Sequence, residues 1–121
     1  MNTNIDEVEI NGVKYIRKDV APTLEKSGFS MVRSSTAGVF MGQIVECNLS
    51  KGVATLKNAR RIWYWDGAAS LSQLAIDGTS KPGNCKFPAT VSQIALAGVC
   101  EIMPCTEKAV ASINGVKVWQ Q

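Results

Sequence analysis

The chain has 121 residues, 45% of them hydrophobic, with 13 Lys and Arg against 10 Asp and Glu and no histidine. That length fits one domain with a real core, and the hydrophobic share excludes a disordered chain. No apolar run reaches the roughly 20 residues that span a bilayer, and the acidic start MNTNIDEVEI is not a signal peptide, so no membrane partner and a cytosolic location are expected.

Residues 1–30 hold five acids and four bases, whereas the stretch from Arg33 to Arg61 holds five bases and one acid, Glu46. A basic surface there would favour a phosphate-bearing partner; a solvated charged face is the alternative. Cys47, Cys85, Cys100 and Cys105 form no Cys-x-x-Cys pair, and no histidine completes a mixed site. They read as small apolar residues rather than metal ligands, so neither metal nor cofactor is expected.

In chain order, EVEINGVKYIRK over 7–18 reads as a β-hairpin, with Asn11-Gly12 supplying a type I′ turn. A lone hairpin is marginal in water, so it must dock on something or remain an arm. DVAPTLEKSGF over 19–29 reads as a linker with room for one helical turn. Residues 1–29 are thus an N-terminal hairpin arm and linker, and 30–121 a compact α+β domain. MVRSS and GVFMGQIVECN are strand-like, LSKG is a turn, and VATLKN is a third strand that ARRIWYW extends or follows with a fourth.

At Asp66-Gly67 the period changes. AASLSQLAIDG sets Ala68, Leu71, Leu74 and Ala75 at helical spacing, with a capping box from Ser70 and Gln73 and a stop at Gly78. TSKPGNCKFP is a loop. ATVSQIALAGVCEIM reads as one or two strands broken near Gly98, with Val99, Glu101 and Met103 on one face and Cys100 and Ile102 on the other. Pro104 ends it, and Thr106 caps a second short helix, TEKAVASI. INGVK occurs at 10–14 and 113–117, but in different contexts, so it is not read as a structural repeat.

The chemistry inventory is thin. Without histidine there is no Ser-His or Cys-His nucleophile pair, and no phosphate-cradling glycine fingerprint is present. No enzymatic activity is expected.

The most unusual stretch is RRIWYW. Read as a strand over 59–66, it sets Arg61, Trp63 and Trp65 on one face and Arg60, Ile62, Tyr64 and Asp66 on the other. The structural reading is that the aromatics are core, with Arg61 over one ring. The functional reading is a site for a nucleotide-like anion, its base on an exposed aromatic and its phosphates on Arg60 and Arg61. Arg33, Ser34, Ser35 and Thr36 would then add a guanidinium and three hydroxyls from a neighbouring strand.

VRSSTAGVFMG, LKNARRIWYWDGAASLSQLA and EIMPCTEKAVASI together resemble a family of short, uncharacterised tailed-bacteriophage proteins that carry an Ala-Arg-Arg-Ile-Trp block, over roughly residues 31–113. The resemblance brings no established activity and no catalytic residue. It implies a phage accessory protein in the host bacterial cytoplasm, acting by binding, with a sponge that sequesters a nucleotide signal of host immunity as one such role. A symmetric homo-oligomer with pockets at its subunit interfaces accompanies that role.

The fold class expected is α+β: a mostly antiparallel β-sheet with two short helices and an N-terminal β-hairpin arm. The function expected is non-enzymatic binding of a small nucleotide-like ligand. The alternatives are a structural or assembly oligomer, in which the aromatic run is a subunit contact, and a nucleic-acid-binding protein with steeply salt-dependent affinity.

Overall fold

The computed structural model describes the backbone of Val8–Ile10 and Val13–Tyr15 and the whole of residues 27–120. Strands β1 (Val8–Ile10) and β2 (Val13–Tyr15) pair antiparallel, with Ile10 opposite Val13. The turn expected at Asn11-Gly12 and most of the linker expected over 19–29 lie outside the described residues.

The remaining strands are β3 (Ser30–Ser34), β4 (Gly38–Asn48), β5 (Val53–Arg61), β6 (Val91–Leu96) and β7 (Val99–Pro104). They form one antiparallel sheet in the order β6-β5-β4-β3-β7. Helix α1 (Leu71–Asp77) lies between β5 and β6, and α2 (Glu107–Asn114) follows β7. The chain is therefore α+β and mostly sheet.

The sheet has to curl. The edges of a flat five-stranded sheet stand about 19 Å apart at ordinary strand spacing. Here the two edge strands are consecutive, joined by Ala97 and Gly98 alone, and Leu96 and Val99 can be no more than about 11 Å apart. The link is held over the strand ends by Val99 N–H donating to Gly52 O (2.9 Å) and Ser35 N–H to Gly98 O (2.8 Å). Residues from all five strands meet in the concave face as one apolar cluster, including Val32, Phe40, Leu56, Leu96 and Val99.

The convex face carries the helices. Met31, Met41 and Ile62 of the sheet side pack with Leu71, Leu74 and Ala75 of α1, Ala109 and Ile113 of α2, and Phe87. Both helices are capped by hydroxyls: Ser70 accepts from Gln73 N–H and Thr106 from Ala109 N–H. The reciprocal half of the expected capping box is absent, because the Gln73 side chain bonds Asp77 instead. Gly78 ends α1 at φ 75°, ψ −156°, a region open in practice to glycine alone.

A bulge decides which way the basic residues face. Met41 pairs with Arg60 and Gln43 with Lys57, so three steps on β5 match two on β4. Asn58 takes up the extra residue at φ 51°, a conformation asparagine tolerates better than most. Strict alternation from Ala54 and Leu56 would aim residue 60 into the concave core. The bulge sends Ala59 there instead and turns Arg60 to the helix side. Another irregularity, between Arg33 and Ser34 in the pairing of β3 with β7, corrects the reading of β7. Val99 and Ile102 share the concave cluster, whereas Met103 packs on the helix side.

Candidate functional site

The residues singled out in the sequence do not converge. Strand β4 lies between β3 and β5, so the segments carrying Arg33 and RRIWYW are not neighbours. Arg33, two residues from Met31, lies on the helix side of the sheet and binds Glu101 (Nε to Oε1, 2.8 Å). That hydrogen bond, more than any other influence, raises its pKa further. Arg61 lies on the concave side opposite Phe40, its guanidinium 4.4 Å from the ring centroid and donating to Ala37 O.

Arg60, expected to meet a ligand's phosphates, is buried and bound to the main chain. Only 3% of its surface is exposed. Its guanidinium donates to four main-chain carbonyls: Pro88 (2.9 Å), Ile113 (2.8 Å), Phe87 (3.0 Å) and Val116 (2.8 Å). Burial pulls its pKa below the usual arginine value. Carbonyl dipoles, among them Ile113 O on α2, compensate the charge.

The hydroxyls are likewise drawn into the fold. Ser34 is buried; its Oγ donates to Ala97 O (2.6 Å) and accepts from Ala37 N–H (3.0 Å). Thr36 Oγ1 donates to Ala97 O (3.2 Å), and Ser35 Oγ reaches Gly98 O at 3.4 Å. Together they hold the β6–β7 link.

The alternation read across RRIWYW holds as far as Ile62 and then fails. Ile62 is core, and Trp63 is 62% exposed. Trp65, expected on the face of Trp63, is half-buried against the helix-side core that holds Ile62. Strand β5 ends at Arg61, so nothing enforces a period of two beyond it.

Tyr64, 51% exposed, meets a cation at the surface. It bridges Lys86: Tyr64 N–H donates to Lys86 O (3.3 Å) and Lys86 N–H to Tyr64 O (2.8 Å). The next residue, Phe87, is buried in the core and bridges Val118, and Trp119 N–H donates to Phe87 O (3.0 Å). These bridges bring both rings to one lysine. Lys86 Nζ lies 5.9 Å from the Tyr64 ring centroid and 5.6 Å from that of Trp119.

The cluster borders a cleft of about 380 Å³, also lined by Asp66, Gly83 and Asn84. A second cleft of about 390 Å³, lined by Pro82, Lys117 and Gln120 among others, shares Gly83, Cys85 and Trp119 with it. Each falls at the lower end of small-ligand sites. A larger cleft of about 520 Å³ lies by the β4–β5 turn, but Glu46 is its one charged lining residue and no aromatic borders it.

Asp66 is fixed at the cleft wall. It accepts from Asn84 Nδ2 (3.1 Å) and Gly67 N–H (2.8 Å), and these bonds, Asn84 first, lower its pKa. Among the described residues no group of three His, Cys, Asp or Glu is placed to hold a metal ion. Sequence reading missed Lys86 and Trp119. Nothing local marks them, since tertiary bridges alone bring residues 64, 86 and 119 together.

The sequence model of the family described as Domain of unknown function (DUF6948) matches residues 29–113, and the chain belongs to that family. No curated protein and no solved structure matches it. The matched span includes Tyr64 and Lys86, while Trp119 follows it.

Proposed function

We propose that this member of the DUF6948 family is a non-enzymatic binding protein whose ligand is a small, planar, nucleotide-like anion seated on the Tyr64–Lys86–Trp119 surface. The observation that carries this reading is the Lys86 ammonium standing within 6 Å of two aromatic rings at the mouth of a cleft. A base stacks on an exposed aromatic face and a phosphate takes a charge-assisted bond from the ammonium. Lys117 lines the adjoining cleft and would supply a contact to a second phosphate. The net charge of +3 favours such a partner. In the phage setting that the sequence resemblance implies, the protein is a sponge for a nucleotide signal of host immunity.

Isothermal titration against cyclic nucleotides and ADP-ribose derivatives tests this. Saturable heat from at least one member, abolished by combining Lys86→Ala with Trp119→Ala, is expected. Folded protein that gives no heat with any member overturns the reading.

Trp63 carries a second reading. An indole 62% exposed suits a contact between subunits of an assembly protein.

A further inference from the structure

We propose that β6 is the contact through which two copies of this chain pair, antiparallel and two-fold symmetric about Gln93. Among the described residues, strand β6 pairs with β5 on one side only. Its other side is a row of main-chain donors and acceptors of the kind that recruits a further strand. Monomeric proteins blunt such an edge with charge, proline or a bulge. The opposite edge has all three, in Glu101, Pro104 and the register shift beside Arg33. Strand β6, VSQIAL, has none: it carries no charge and no proline, and it pairs with β5 without a register shift of its own.

The side-chain pattern favours a second copy over a charged peptide. Val91, Gln93 and Ala95 are exposed, whereas Ile94 and Leu96 turn into the concave core. In a two-fold pair, residues of the same parity face each other, so the two sheets continue with their inner faces aligned. Centred on Gln93, the pairing sets that residue against its own copy and Val91 against the partner's Ala95. Val91, 45% exposed in the single chain, is then covered. Ala95 also lines the 520 Å³ cleft by the β4–β5 turn, which the incoming strand end would border. No like charges meet along the seam, since all six residues of β6 are neutral.

Sedimentation velocity on the full chain, from about micromolar to about millimolar, tests the pairing. A concentration-dependent dimer is expected. Gln93→Glu and Gln93→Lys should each weaken it at least about tenfold by setting like charges opposite each other. Mixing the two variants should restore a heterodimer. Gln93 is exposed, so unchanged circular dichroism and melting of both variants should accompany the loss. A monomer throughout the range, a dimer indifferent to both charges, or a head-to-tail ring or filament overturns the proposal.

Discussion

Arg60 and Ile113 join the sheet to α2: the guanidinium of one donates to the carbonyl of the other at 2.8 Å, in the interior. The same side chain holds Phe87, Pro88 and Val116 by their carbonyls. Removing it strands several buried acceptors, each costing about 1–3 kcal/mol when left unsatisfied. Arg60→Leu should therefore lower unfolding free energy by roughly 3–5 kcal/mol, and Arg60→Lys by less, because an ammonium keeps three donors. Urea denaturation followed by circular dichroism measures both. A loss below about 1 kcal/mol in Arg60→Leu would refute the structural role.

Gly78 faces Ser112 so closely that an added Cβ would collide with that side chain, at a φ of 75° that other residues rarely adopt. Backbone strain and overpacking add, so Gly78→Ala should destabilise by about 2–4 kcal/mol. A lowered melting temperature checks this. Gly83 has open space around its would-be Cβ, and Gly83→Ala should leave melting nearly unchanged.

The elements of the sheet and both helices were legible because each is written locally. Period two runs through MVRSS and GVFMGQIV, and a capping hydroxyl opens each helix. The site was not legible, for two physical reasons. One residue in positive φ, Asn58, decides which face Arg60 takes, and nothing in ATLKNARR declares a bulge. The aromatic–cation cluster depends on two isolated bridges, Tyr64 with Lys86 and Phe87 with Val118, that join loops distant in sequence. Arginine and tryptophan stand out by residue type, yet the fold buries Arg60, half-buries Trp65 and leaves Lys86 at the surface.

Asp66 makes the stability depend on pH. Its folded pKa lies below the ordinary 3.8, through Asn84 and Gly67. A depressed carboxyl contributes stability above its unfolded pKa and loses it as pH falls through the folded value. The wild-type chain should therefore lose stability below pH 3.8 more steeply than Asp66→Asn does. Denaturation series across the acid range give the two slopes. Parallel slopes would rule out this contribution.

Trp63 and Trp65 should separate cleanly. Trp65 packs on the helix-side core, so Trp65→Ala should cost about 2–4 kcal/mol. Trp63 is 62% exposed, so Trp63→Ala should alter stability by no more than about 0.5 kcal/mol. Equal losses in the two variants would mean that Trp63 is covered in solution, as a subunit contact requires.

On the proposed function, Lys86 and Trp119 should fail differently in ligand binding, because one would supply charge and the other area. Trp119→Ala removes a stacking face, and stacking is worth about 1–3 kcal/mol per base, so affinity for a nucleotide should fall about 5- to 150-fold with its salt dependence kept. Lys86→Ala removes the ammonium proposed to meet the anion, so affinity should fall and its dependence on salt should flatten. Titration of each variant at two ionic strengths separates the effects. Both side chains sit at the surface, Lys86 exposed and Trp119 partly so, and melting should change little in either variant. If Lys86→Ala keeps the wild-type salt dependence, the anion is held elsewhere and the site assignment fails.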